Sequence, residues 1–197
     1  MTVVAIAGPA NDLHRELAVA AAEAGCDVAL ASLHGEPDQE FAVNSIANEV
    51  WVVGAENFAR ALDASDPTAV ASFADEVSDR LGSCEIALFI SPPTPAVEAD
   101  EFSADELLPL LDPHVNAPFL VAQAFGRVMQ RQGNGTVLLV VPEDDGLPAA
   151  IFEGALQGLA ANTDGAWRSR GVQVHCVRPQ EAAERLAAAV AERKAAR

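Results

Sequence analysis

The chain has 197 residues and a mass of 20.5 kDa, half of it apolar and 21% charged, which is the size and balance of one globular domain and excludes a disordered or fibrous chain. Twenty-nine acids against twelve bases give a formal charge of −17 and a pI near 4.4, so nucleic acid and anionic membrane surfaces, both repelled at long range, are excluded as expected partners. Tyrosine is absent and the only lysine is Lys194, so chemistry that needs a core tyrosine or lysine is excluded.

Short apolar runs alternate with longer stretches of helical period, the pattern of a parallel sheet covered by helices on both faces. The first strand is expected at Val3–Ala7; with no basic flank or long apolar stretch it is neither a signal peptide nor a membrane span, and a cytoplasmic location is expected. Gly8-Pro9-Ala10-Asn11-Asp12 leads into a helix with Leu13, Leu17, Ala20, Ala21 and Ala24 on one face, ended by Gly25. Asp12 is assigned as the cap of that helix. A second strand follows at Val28–Ala31, a helix at Glu40–Val53 closed by Gly54, and a third strand at Phe58–Leu62.

Asp66-Pro67 sets an N-cap acid and an N1 proline before Val70, Phe73, Val77 and Leu81, with Gly82 ending the helix. The fourth strand is Ile86–Ile90. Ser103-Ala104-Asp105-Glu106 has the form of a capping box opening a leucine-rich helix, which Pro113 and Pro118 should kink before it runs on to about Gln132. Gly133-Asn134-Gly135 turns the chain into a fifth strand, Val137–Val141, apolar enough to be buried on both faces. A helix from Pro148 to Trp167, a sixth strand at Val172–Val177 and a charged, alanine-rich helix over 180–195 complete one Rossmann-like domain spanning 1–197. Six strands with right-handed crossovers give a doubly wound α/β sheet, whose ligand crevice lies at the carboxyl ends of the strands where their order reverses. Cys26, Cys84 and Cys176 form no C-x-x-C pair and read as reduced, buried thiols, and no metal site is expected.

From Thr2 to Pro179 this order of elements resembles the short-chain dehydrogenase/reductase family. The resemblance rests on Leu62-Asp63-Ala64-Ser65-Asp66-Pro67, on Ala117-Pro118-Phe119-Leu120-Val121-Ala122-Gln123-Ala124-Phe125, on Gly135-Thr136-Val137-Leu138-Leu139-Val140, and on Gly154-Ala155-Leu156-Gln157-Gly158-Leu159-Ala160 followed by Gly171-Val172-Gln173-Val174. It implies a nicotinamide dinucleotide held by a glycine loop T-G-x-x-x-G-x-G, whose positions fall here on Ala7, Gly8, Asp12 and His14. Only Gly8 matches a glycine. The second glycine lets backbone approach a diphosphate and the third lets helix and strand pack closely, and a carboxylate at Asp12 opposes both needs. The resemblance also places Asp63 against the adenine amino group, so Gly8 and Asp63 are the cofactor-binding positions it carries over. Ser32, Leu33 and His34 offer neither the acid nor the base that would choose between NAD and NADP. Phe89-Ile90-Ser91-Pro92 stands where the family has N-N-A-G.

The family's catalytic tyrosine falls on Ala149, its lysine on Glu153, its serine near Pro142 and its asparagine on His114. No catalytic residue is therefore assigned, and loss of a tuned proton donor costs about 10²–10⁴ in rate. The polar residues left at the strand ends are His14, Asp63, His114, Glu143, Asp144, Asp145 and Arg178, the three consecutive acids reading as solvated loop residues. With eighteen residues after Pro179, no substrate lid is expected.

The expectation is a non-catalytic member without cofactor, a structural or regulatory subunit of a homo-oligomer or of a complex with an active paralogue. In the family the kinked helix and the helix after the fifth strand pack against copies of themselves, and here Leu107, Leu108, Leu110, Leu111, Phe119, Phe125, Ile151, Phe152, Leu156 and Leu159 keep both apolar. The alternatives are an NAD- or NADP-dependent oxidoreductase using His114 or Glu153 as its acid, or a regulator that senses a small neutral or cationic molecule in the crevice.

Overall fold

The computed structural model describes residues 1–196. Six parallel strands form one sheet: β1 Thr2–Ala7, β2 Cys26–Ala31, β3 Asn57–Arg60, β4 Ile86–Ile90, β5 Gly135–Val140 and β6 Val172–Val177, in the order β3-β2-β1-β4-β5-β6. This is the doubly wound arrangement, with the reversal of strand order between β1 and β4.

The apolar runs are continuous because both faces of the sheet are covered and successive side chains go to opposite layers. Val4, Ile6, Val28, Leu30, Ile86, Leu88 and Leu138 face one layer, packed under α1 (Asp12–Glu23), α2 (Pro37–Val53) and α7 (Pro179–Ala195) through Leu17, Ile46, Val50 and Leu186. Val3, Ala5, Ala29, Phe58, Ala87, Phe89, Val137 and Leu139 face the other, under α3 (Pro67–Leu81), α5 (Ala117–Gln132) and α6 (Leu147–Trp167). There Phe73 stands between Phe58 and Phe125, with ring centroids 5.9 and 5.8 Å apart in edge-to-face geometry.

Several helix ends carry the caps their sequences announce. Asp66 accepts from Thr68 N at 2.8 Å, Ser103 and Glu106 close a reciprocal capping box at the start of α4 (Ala104–Leu111), and Gly54, Gly82 and Gly133 end their helices in the left-handed conformation. The first helix corrects an assignment. Its cap is Asn11, whose Oδ1 accepts from His14 N at 3.0 Å, while Asp12 is already helical. The kink expected from Pro113 and Pro118 takes the form of a π turn over Asp112–Asn116 joining α4 to α5, the wider turn absorbing the donor that Pro113 lacks.

Other boundaries shift by a few residues. β3 covers 57–60 and not 58–62, because Leu62 N turns to Ser32 Oγ at 3.1 Å and Ala64 N to Leu33 O, which peels the chain from the sheet edge. α2 starts at Pro37 as its N1 residue, and β5 starts two residues early, at Gly135, and ends one residue early, at Val140. Cys26 and Cys84 are buried, and burial raises the Cys84 thiol far above the usual range; Cys176 is only half-buried, against expectation.

Phe125 is 1% exposed at the inner end of the aromatic row, so Phe125→Ala should lower the free energy of urea unfolding by about 3–5 kcal/mol without changing the fold.

Candidate functional site

The ends of β1, β4, β5 and β6 meet at the point of strand reversal in a cleft of about 250 Å³ lined by Asn11, Leu13, Ile90, Ser91, Val141 and Pro179, among others. Beside it, Glu143, Asp144, Asp145, Glu153 and Arg178 line a hollow of about 90 Å³. Both are smaller than the ~300–1,000 Å³ usual for sites that enclose a small molecule.

Gly8 occupies the first turn with φ +145°, and a Cβ on it would lie 2.5 Å from Ile90 O and 2.9 Å from Ile90 Cβ. Its N–H donates to Ala31 O at 3.1 Å. The glycine is thus required by the passage of the chain over the end of β4. Of the backbone donors that follow, three are engaged: Ala10 N reaches Gln39 Oε1 at 3.5 Å, Asn11 N donates to Pro9 O at 2.8 Å, and His14 N is held by the Asn11 cap, which leaves Asp12 N and Leu13 N. Asp12 points to solvent and pairs with Arg15 at 2.8 Å, and Arg15 also reaches Glu49 at 3.1 Å.

His14 is wholly buried. Its Nδ1 lies 3.3 Å from Pro9 O, its Nε2 has no partner among the described residues, and burial drives its pKa from 6.5 down to about 4 against the pull of the Pro9 and Gly8 carbonyls. The ring is therefore neutral, with Nδ1–H donating to Pro9 O. A sequence reading that placed His14 at a glycine position could not foresee that an imidazole fills that space.

Asp63 is exposed after β3, and its Oδ1 accepts from Ser65 N at 2.8 Å in an Asx turn. Ser32 is buried, its hydroxyl donating to His34 O at 2.7 Å; Leu33 is core and His34 exposed. At the end of β4, Phe89 and Ile90 are core, and Ser91 is buried with an unpartnered Oγ at the cleft.

The segment after β4 lies across the loop after β5. Asp144 accepts from Thr94 N at 2.7 Å and Thr94 Oγ1 at 3.2 Å, and Leu147 N donates to Val97 O at 3.3 Å. Asp144 is thus a partly buried strut and not the solvated loop acid that its run of carboxylates implied. Nothing in the sequence paired two residues fifty apart.

His114 is 1% exposed and stacked on Phe152, with centroids 4.4 Å apart and planes at 20°. Its Nδ1 is 3.0 Å from Leu110 O and its Nε2 3.2 Å from Pro92 O, and burial lowers its pKa. Ala149 and Pro142 are buried. Glu153 accepts from Gln157 at 3.0 Å and pairs with Arg178 at 3.4 Å. The residues at the strand ends therefore bond chiefly to one another or to backbone, and among the described residues no cluster of three or more His, Cys, Asp or Glu is placed to hold a metal.

A family model described as enoyl-(acyl carrier protein) reductase matches residues 8–197. The chain belongs to the short-chain dehydrogenase/reductase family. It is similar to a short-chain type dehydrogenase/reductase from Mycobacterium marinum, with 23% identity, a TM-score of 0.79, and 90% of this chain on 73% of that one. A metagenomic short-chain oxidoreductase in complex with NADP matches at 20% identity and TM-score 0.77, over 96% of this chain and 90% of that one. The short-chain dehydrogenase/reductase of Serratia marcescens matches at 20% and 0.75, over 90% and 73%. The resemblance on which the sequence was read thus holds for family and fold, and the chain is an oxidoreductase-like protein.

Gly8→Ala should destabilise the fold by about 2 kcal/mol or more in denaturant titration, with or without any ligand, because its Cβ meets the backbone of Ile90. His14 contributes a pH dependence of known sign. Its folded pKa lies below the unfolded 6.5, so the unfolded chain binds the extra proton between about pH 6.5 and 4, and this contribution, complete above 6.5, is lost as pH falls to 4. It amounts to about 3 kcal/mol, and His14→Gln should flatten the fall of the urea midpoint across that window relative to the parent chain.

Proposed function

We propose that this chain is a non-catalytic short-chain dehydrogenase/reductase-like subunit that binds no nicotinamide dinucleotide and acts through association, as a homo-oligomer or with an active relative. The observation that carries this reading is the start of α1, where Ala10, Asn11 and His14 N–H are engaged within the chain and the buried His14 ring stands at a position that the family gives to glycine. A diphosphate binds a helix N-terminus through free backbone donors, and few are left. Gly8 and Asp63, the two positions that could still contact a cofactor, are accounted for by chain crossing and by an Asx turn.

The proton-transfer group supports the same conclusion. The chain has no tyrosine, and where the family has its lysine Glu153 is tied to Arg178. The alternative acids are poorly placed: His114 is enclosed between two carbonyls and Phe152, and Glu153 lies between Arg178 and Gln157. No described helix is long and apolar enough to cross a membrane.

Association has a surface to use. Leu108, Leu111, Val115, Phe119 and Ile151 are exposed, Leu108 by 62%, on the two helices through which the family packs its subunits. Leaving them in water costs about 25 cal/mol for each Å² that a partner would cover.

Calorimetric titration with NAD and NADP should give no saturable heat, while light scattering should give an oligomer that Phe119→Asp with Ile151→Asp reduces to a folded monomer. Micromolar dinucleotide binding, or turnover of a carbonyl substrate, would contradict the proposal, as would a monomeric parent chain that gains no mass when mixed with an active relative.

A further inference from the structure

At the end of the sheet opposite the crevice, the last turns of α5 approach the tight turn Arg168–Arg170 that precedes β6. β5 separates the two ends by six residues, about 20 Å. Here Arg127, Gln130, Arg131 and Arg170 line an open hollow of about 360 Å³. In a chain of charge −17, three of twelve basic residues converge on one depression.

Most of the chain's other arginines have carboxylate partners: Arg15, Arg60, Arg80, Arg168 and Arg178 are all in ion pairs. Arg127 makes no hydrogen bond or ion pair among the described residues. Arg131 reaches only Asp75, at 3.2 Å with both side chains exposed, a pair of little energetic weight. Arg127 and Arg131 are also four apart on one helix, where like charges repel.

Gln130 completes the pattern. Its Oε1 accepts from Arg170 Nη1 at 2.6 Å, so its only side-chain acceptor is occupied and its amide NH₂ remains to donate. Three guanidinium groups and one amide thus present donors, and the one side-chain acceptor among them, Gln130 Oε1, is taken by Arg170. Such a lining fits oxygens of an anion, which guanidinium forks bind in pairs. The rest of the chain's negative charge is screened beyond about 8 Å at physiological salt, so the local positive field governs capture.

We propose that this hollow is a binding site for a small polyanion carrying two or more phosphoryl groups. Its volume accepts one such group with its shell of contacts. No aromatic or apolar side chain lines it, so it recognises the charged head and leaves the remainder of the ligand in solvent. The hollow shares no residue with the crevice or with the exposed apolar faces of α4 to α6, and it stands whether or not those serve as proposed above.

Inorganic pyrophosphate is the probe. In calorimetry it should bind saturably with a dissociation constant below about 1 mM at low salt, weakening roughly tenfold on a severalfold rise in salt. Arg127→Gln and Arg170→Gln should each weaken binding by about fivefold or more, and Asp75→Asn should tighten it by releasing Arg131. Arg15→Gln, on the far face, should change nothing. In a Trp51→Phe background, Trp167 fluorescence should report the same titration, since Trp167 packs on Gly126 beside Arg127. Thermal unfolding checks that each variant is folded. No saturable heat up to about 10 mM pyrophosphate, or an affinity unchanged in the Arg127→Gln/Arg170→Gln chain, would overturn the proposal. A hexaglutamate peptide that binds where pyrophosphate does not would also overturn it, assigning the surface to an acidic protein segment instead.

Discussion

The chain leaving β1 must pass over the end of β4 at the one place where the sheet reverses its winding, and it does so with Gly8 pressed against the backbone of Ile90. That contact fixes where α1 begins and therefore what its first turn faces. A doubly wound sheet makes a crevice at this point whatever the chain is for. What differs from chain to chain is which groups are left free at its mouth. Here Asn11 turns back on His14, the imidazole fills the gap between helix and strand, and the segment 92–97 is fastened by Thr94 to Asp144. The framework of a nucleotide crevice is retained, with Ala10, Asn11 and His14 N–H bonded within the chain.

The same economy runs through the positions that carry chemistry in the family. Glu153 and Arg178 satisfy each other, His114 is stacked and enclosed, and Ala149 is packing. Buried polar groups that find partners inside the chain stabilise it and have little left to offer a substrate. Around the crevice, Ser91 Oγ and His14 Nε2 depart from that rule, and both are buried beyond contact with solvent. At the other end of the sheet the situation is reversed. Arg127 makes no bond among the described residues, and Arg131 and Arg170 keep donors beyond their single bonds to Asp75 and Gln130.

The fold was legible where composition forces it. β4 and β6 were placed to the residue because Ile86–Ile90 and Val172–Val177 lie between clear breaks, and α3 because an acid, a proline and a glycine mark its ends. β3 was misplaced because an edge strand is held on one side only, and Leu62 answers to Ser32 rather than to the ladder. Two adjacent capping residues, Asn11 and Asp12, made the start of α1 ambiguous by one position, and only side-chain direction decides it. The prolines announced a break before α5 but not its π form. Site geometry was less legible still: a histidine on a helix reads as polar surface, and neither the burial of His14 nor the union of Thr94 with Asp144 leaves any local trace in the sequence.

The closure of the crevice to dinucleotides is tested most directly at the amides themselves. In a backbone-assigned nuclear magnetic resonance titration with NADP, the signals of Gly8, Asn11, Asp12, Leu13, His14 and Ser91 should stay where they are while millimolar cofactor is added. Progressive, saturable displacement of those signals, with Asp63 moving alongside them, would show a diphosphate seated on α1 and contradict the account.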